Sequence, residues 1–309
     1  MKITNLEQSI LFTISYFDVF EYPLTSFEIW RYLFGFKSSL DQVILKLDEL
    51  IVLGKIEMKN GFYFLPERSH LVDFRQKKYD ISEKFWGKAV RATKILSYLS
   101  FIKCVSVVNS LSYFNCDSKS DIDFLIITKK NKIWTARFLS TAVLHLFGIR
   151  RHGKKISGRI CLSFYISEEM KNMSYIAKDG LGFFVAFWIA QNAPILSYNQ
   201  TFEKFRAANT WIYDFLPNSG HNITDYYINF KLPLGAKKIS KLIEFFLKPD
   251  FIEKILKSIQ SKRIKFSQKK WGEPNSVLFN DFILKFHPED FRPGYKKEIK
   301  ERLTKNKYI

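Results

Sequence analysis

The chain has 309 residues, 47% hydrophobic and 26% charged, with 31 Phe, 15 Tyr and 6 Trp. That mixture excludes a disordered, collagen-like or disulfide-scaffold chain and supplies ample apolar mass for a core. The net charge of +19 favours polyanionic partners, although 37 Lys against 12 Arg in a chain rich in Phe, Ile and Asn is also the bias of an AT-rich genome.

The charge is unevenly placed: residues 1–66 carry a net −2 and residues 67–309 a net +21. Cys104, Cys116 and Cys161 are odd in number and form no C-x-x-C pair, so neither a disulfide framework nor a zinc ribbon is encoded. The opening MKITNLEQSILF lacks the pattern of a secretory leader. The strongly apolar run LGFFVAFWIA, 181–190, falls far short of the ~20 residues that span a bilayer. It reads as a buried helix, and the expected location is cytoplasmic, with no membrane partner.

Leu6, Ile10, Ile14 and Phe17 recur at helical spacing and predict an amphipathic helix that closes before Pro23. Thr25-x-x-Glu28 is a capping box opening a second short helix, and Ser39-x-x-Gln42 opens a third, with Gly54 as its stop. Asn60-Gly61 between IEMK and FYFL predicts a hairpin with a type I′ turn. Three helices and a hairpin in residues 1–66 are the order of a winged helix-turn-helix. Residues 67–100 read as a helical connector. Residues 101–170 change character, with a β-branched strand (CVSVV), a second strand (DIDFLIIT), a helix near 132–147 and a third strand (RICLSFYI), which implies a small mixed α/β sheet. Residues 171–309 read as a helical and, from 231 onward, strongly basic C-terminal region. The expected fold class is therefore α/β of the α+β kind.

The string VVNSLSYFNCDSKSDIDFLIIT, 107–128, carries the chemistry. Asp121 and Asp123 lie two apart at the start of an apolar strand, so both carboxylates project from one face. Such a pair offers hard oxygen ligands to Mg²⁺, which commonly binds one or two carboxylates plus substrate phosphates. Ser110, eleven residues upstream, follows a strand and begins a turn whose hydroxyl and N–H groups suit a phosphate. Together they suit in-line phosphoryl or nucleotidyl transfer. The same aspartates could also serve merely as a polar strand start.

This arrangement resembles the nucleotidyltransferase superfamily, the DNA polymerase beta-like group, whose mark is hydrophobic-Gly-Ser, a spacer, then Asp-hydrophobic-Asp on a strand. The wider chain resembles bacterial nucleotidyltransferase-domain proteins with an N-terminal winged helix, through YFDVFEYPLTSFEIWRYL, SDIDFLIIT, NKIWTARF, RICLSFYI and WIYDFLPN. The resemblance implies that Asp121 and Asp123 are catalytic and hold Mg²⁺. It also implies that Asn109, Ser110 and Ser120 bind the nucleotide, with ATP the expected NTP. A nucleoside monophosphate would pass to an unidentified acceptor, which the basic surplus would suit if it were polyanionic, such as RNA.

Two departures accompany it. Asn109 stands where the family has Gly, a residue that allows close approach and positive φ. The family's third carboxylate falls at Ser163, with Glu168 and Glu169 a few residues beyond. These departures favour the alternative, a catalytically degenerate protein with a regulatory or nucleotide- or RNA-binding role. Lys129, Lys130, Lys132, Arg137, Arg150, Arg151, Lys154 and Lys155 are equally read as triphosphate or acceptor contacts and as solvated loop charges. The run KRIKFSQKK, 262–270, reads first as a solvated helix face. DNA binding through the third helix is disfavoured: SSLDQVILKLDELIVLG is net −2 and has no Arg, whereas phosphate neutralisation dominates DNA affinity. The five histidines form no H-E-x-x-H site and read as surface or core.

Overall fold

A computed structural model describes residues 3–177, 180–220, 234–271, 276–305 and 308. The fold is mixed α/β, with ten α-helices and a six-stranded mixed sheet among the described residues.

Helices α1 (Leu6–Asp18), α2 (Ser26–Arg31) and α3 (Leu40–Val52) come first. Both expected capping boxes form, Thr25 with Glu28 and Ser39 with Gln42, so the first orphan N–H groups of α2 and α3 are satisfied locally. Strands β1 (Glu57–Lys59) and β2 (Phe62–Phe64) pair antiparallel across Asn60 and Gly61. Their φ values of 56° and 80° are the two positive values a type I′ turn requires. Helix α4 (His70–Leu96) then runs the length expected of the connector. It ties back to the first helices through Arg75, whose guanidinium meets Glu28 with two bonds of 2.8 Å.

The central sheet is built on β3 (Ile102–Val108), β4 (Ile122–Thr128) and β5 (Ile160–Ser167). β3 and β4 are antiparallel, while β4 and β5 are parallel and joined by α5 (Ile133–Leu146). All four elements lie where the sequence places them. Alternation then sorts the side chains into two layers. Val105, Val107, Phe124, Ile126 and Tyr165 pack with residues of α4 and α5 on one face. Leu125, Ile127, Phe164 and Ile166 share the other core cluster with α1 and with α6 (Gly182–Ala190).

The segment read as a helical C-terminal region differs from expectation. It does contain α7 (Thr201–Ala207), α8 (Leu234–Leu247), α9 (Asp250–Trp271) and α10 (Arg292–Lys305). It also contributes β6 (Ala193–Ser197), β7 (Leu278–Phe279) and β8 (Ile283–Lys285), and the sheet order is β6-β3-β4-β5-β8-β7. These strands are two to five residues long. Nothing in such short runs separates strand from helix; antiparallel pairing with β3 and β5 decides it. Among the described residues no helix is long and apolar enough to cross a membrane. His221 lies outside the described residues, as do the side chains of Lys270 and Trp271.

Candidate metal centre and its cavities

The chain end of β3 and the start of β4 lie side by side, with Val108 paired to Asp123. Asp121 and Asp123 share the face that leads into Leu125 and Ile127, as their spacing requires. On the other side, β5 presents Cys161 directly opposite Asp123. One ligand atom each from Asp121, Asp123 and Cys161 all lie within 4.8 Å of one another.

The register places Cys161, not Ser163, opposite Asp123. Asp123 pairs with Cys161 but Leu125 pairs with Phe164, so β5 carries one extra residue across this step. A bulge of this kind re-aims side chains. Ser163, the position expected to supply the third ligand, stands two residues further along the strand. Its hydroxyl accepts from the Cys161 thiol at 3.3 Å and lies 3.1 Å from His287 Nε2.

Asn109 sits at the pivot of the site. Its φ of 59° is the left-handed value that a glycine at this position would serve, so the backbone demand is met by a residue tolerant of it. Its side chain then adds two bonds: Nδ2 donates to Asp123 Oδ2 at 2.7 Å, and Oδ1 accepts from Trp188 Nε1 at 3.1 Å. Asp121 is held differently, by Arg151, whose Nη1 donates to its Oδ2 at 2.5 Å.

Burial and the adjoining Asp121 carboxylate push the Asp123 carboxyl up to about 6, against the opposing pull of Asn109, Cys161 and Arg151. Burial, then Asp123 and Asp121, drive the Cys161 thiol well above its ordinary range. The donor set therefore fits a hard divalent cation such as Mg²⁺ through two carboxylates. Cys161, a soft thiol donor, completes the group of three that could hold a metal ion.

Two cavities flank the cluster and share Ser163. One, of about 550 Å³, is lined by Asn109, Ser110, Asp123 and the aromatic rings of Trp188, Phe184 and Tyr295. Lys285 and His287 complete its polar wall. Burial and then Lys285 hold the His287 imidazole down at about 4, so it is neutral at pH 7. The second cavity, of about 420 Å³, is lined by Arg137, Arg150, Arg151 and Arg263 together with Cys161, and its described lining holds no carboxylate.

The other expected residues divide. Ser110 lines the aromatic cavity, its hydroxyl 3.4 Å from Cys116 Sγ. Ser120 donates to Asp117 Oδ1 and accepts from the Asp117 N–H, which closes the turn before β4 rather than facing either cavity. Glu168 and Glu169 stand at the opposite end of β5, where Glu168 accepts from the Lys130 N–H and Glu169 pairs with the Lys130 side chain. Lys129 and Lys132 are at that end too, bound to Glu244 and Asp250. Lys154 and Lys155 are exposed and line neither cavity. Arg263, from the basic run on α9, does reach the arginine cavity. Sequence reasoning missed Cys161, Arg151, Trp188 and His287 as neighbours of the carboxylates. Only the alternation that makes Cys161 share a face with Ser163 carried a signal.

Comparison of the chain with family models, with curated proteins and with solved structures finds no significant match in any of the three.

Proposed function

We propose that this protein is a Mg²⁺-dependent nucleotidyltransferase that moves a nucleoside monophosphate from an NTP, ATP by preference, to an acceptor hydroxyl with release of pyrophosphate. The observation that carries the reading is the Asp121–Asp123 pair at the start of a strand, with Asp123 lining a 550 Å³ cavity that also holds Ser110. Residues 101–170 with β6 would form the nucleotidyltransferase domain.

In this reading Asp121 and Asp123 hold the metal, which when bound neutralises charge on the phosphates and on the developing transition state. Ser110 donates its hydroxyl to the phosphates. Asn109 keeps Asp123 in place through its amide while its left-handed backbone turns the chain toward the cavity. The aromatic wall, Trp188 with Tyr295, takes the planar base. Arg151, with Arg137, Arg150 and Arg263, would meet a polyanionic acceptor such as an RNA end.

The N-terminal helices and hairpin would form a winged helix turned to protein contact. Lys46, the lone basic residue of α3, pairs with Glu49, and Leu45, Val52 and Leu53 are exposed on that helix. A non-catalytic reading draws on one specific observation: Arg151 and Asn109 already satisfy both carboxylates within the chain.

Titration calorimetry with ATP separates the two. The enzyme reading expects Mg²⁺-dependent binding that is lost in Asp121→Asn/Asp123→Asn, followed by pyrophosphate release once an acceptor is supplied. Binding unaffected by the double substitution would remove the assignment.

A further inference from the structure

A third cavity lies where the N-terminal helices, α4 and the α6–β6 corner meet. It measures about 490 Å³, within the range of small-molecule sites. Two side chains on its wall carry buried polar atoms with no hydrogen-bond partner in the protein. Asn192, only 9% exposed, has neither its Nδ2 nor its Oδ1 hydrogen-bonded, and the buried Nε of Arg31 is likewise unpaired. A buried polar group left unpaired costs about 1–3 kcal/mol, so three unpaired atoms lining one cavity point to an occupant that pairs them.

The chemistry of the wall defines that occupant. An asparagine amide offers a donor and an acceptor side by side, the complement of a nucleobase edge. Phe27, Tyr79 and Phe114 supply flat apolar surface on which such a ring can stack. Three arginines line the cavity against a single acid, Glu28. Arg75 is committed to Glu28 and lies 4.0 Å over the Tyr22 ring, which cancels that acid and leaves Arg31 to set a positive sign. Guanidinium groups at the end of a base-reading pocket suit a phosphate.

We propose that this cavity is a second ligand site, specific for a nucleoside monophosphate, with Asn192 reading the base and Arg31 holding the phosphate without a metal ion. It is separate from the carboxylate centre: Tyr113 and Gln191 line both this cavity and the aromatic one and form the wall between them. The inference does not depend on the transferase reading.

Calorimetry in EDTA with AMP, GMP, CMP and UMP tests it on the full chain. At least one of the four should bind, with Asn192→Leu and Arg31→Met each weakening it about tenfold or more. Asp121→Asn/Asp123→Asn should leave that binding unchanged, and Asn192→Leu should leave Mg²⁺–ATP binding unchanged. Because Leu replaces an unpaired buried amide with an apolar group of similar size, the melting temperature of Asn192→Leu should hold or rise. Three results would overturn the site: no heat with any of the four, binding that disappears with the aspartates, or a melting temperature that falls in Asn192→Leu while affinity stays the same.

Discussion

The two ends of β4 and β5 carry charged side chains in opposite states of pairing. At the end formed by Thr128 and Ser167, each charge meets a partner brought by another segment. Lys129 binds Glu244, Lys130 binds Glu169 and Lys132 binds Asp250. Glu253 of α9 caps α5, accepting from the Trp134 and Thr135 N–H groups at 2.8 and 2.9 Å. At the other end two carboxylates face each other, and only Asp121 has a cation, Arg151, itself 45% exposed, while Asp123 has the neutral Asn109 amide. The first arrangement ties α8 and α9 to the sheet. The second keeps like charges together at a cost to the fold, which is the mark of a site selected for something other than stability.

Substitution at each end should therefore fail differently. Asp121→Asn/Asp123→Asn should lower transferase turnover by at least about 100-fold while the melting temperature holds or rises, since like-charge repulsion is removed. A collapse of the fold would place these carboxylates with the structural pairs instead. Glu253→Ala should do the reverse. Loss of a charged helix cap with three bonds predicts about 2 kcal/mol of destabilisation by denaturant titration, with turnover per folded molecule unchanged.

How much of this contrast was legible in the sequence follows from the range of the interactions. Capping boxes, the Asn60-Gly61 turn and the Asp-x-Asp strand start are local, and each was readable within a few residues. The short β6 and β8 were not, because their state is fixed by neighbours 86 to 121 residues away in the chain. The same holds at the site. Asp121, Asp123 and Ser110 were visible as a pattern, but that Cys161 faces Asp123 is fixed only in the pairing of β4 with β5. Lys129 and Lys132 looked like phosphate contacts because they follow the carboxylates in sequence. A seven-residue strand carries them to the far end of the sheet.

Cys161→Asp sharpens the comparison by adding a carboxylate where the register puts it. Mg²⁺ affinity, read by calorimetry, should rise about tenfold, and the metal-free protein should melt lower because a third like charge joins the pair. Ser163→Asp should give neither effect in full. Acidification probes the same repulsion without mutation. Since Asp123 titrates near 6 when folded, Mg²⁺ affinity should fall about tenfold per pH unit below that value. The sign for metal-free stability is opposite. A folded carboxyl raised above its unfolded value contributes stability that is complete below pH ~4 and is lost as pH rises through about 6, and Asp123→Asn should abolish that dependence.

Asn109→Gly is the mildest change and separates the backbone role of this position from its side-chain role. Glycine adopts the left-handed conformation without the ~1 kcal/mol that other residues bear there, so the turn itself should survive. What disappears is the amide between Asp123 and Trp188. Without that donor the Asp123 carboxyl should move further upward, shifting the acid limb of Mg²⁺ binding to higher pH by less than about one unit. If the amide serves mainly to hold Asp123 in a metal-free state, ATP affinity at pH 8 should instead increase a few-fold, because the phosphates gain the space the side chain fills. A shift in the acid limb without gain at pH 8 assigns Asn109 to positioning the metal ligand; a gain at pH 8 assigns it to restraining an otherwise competent site.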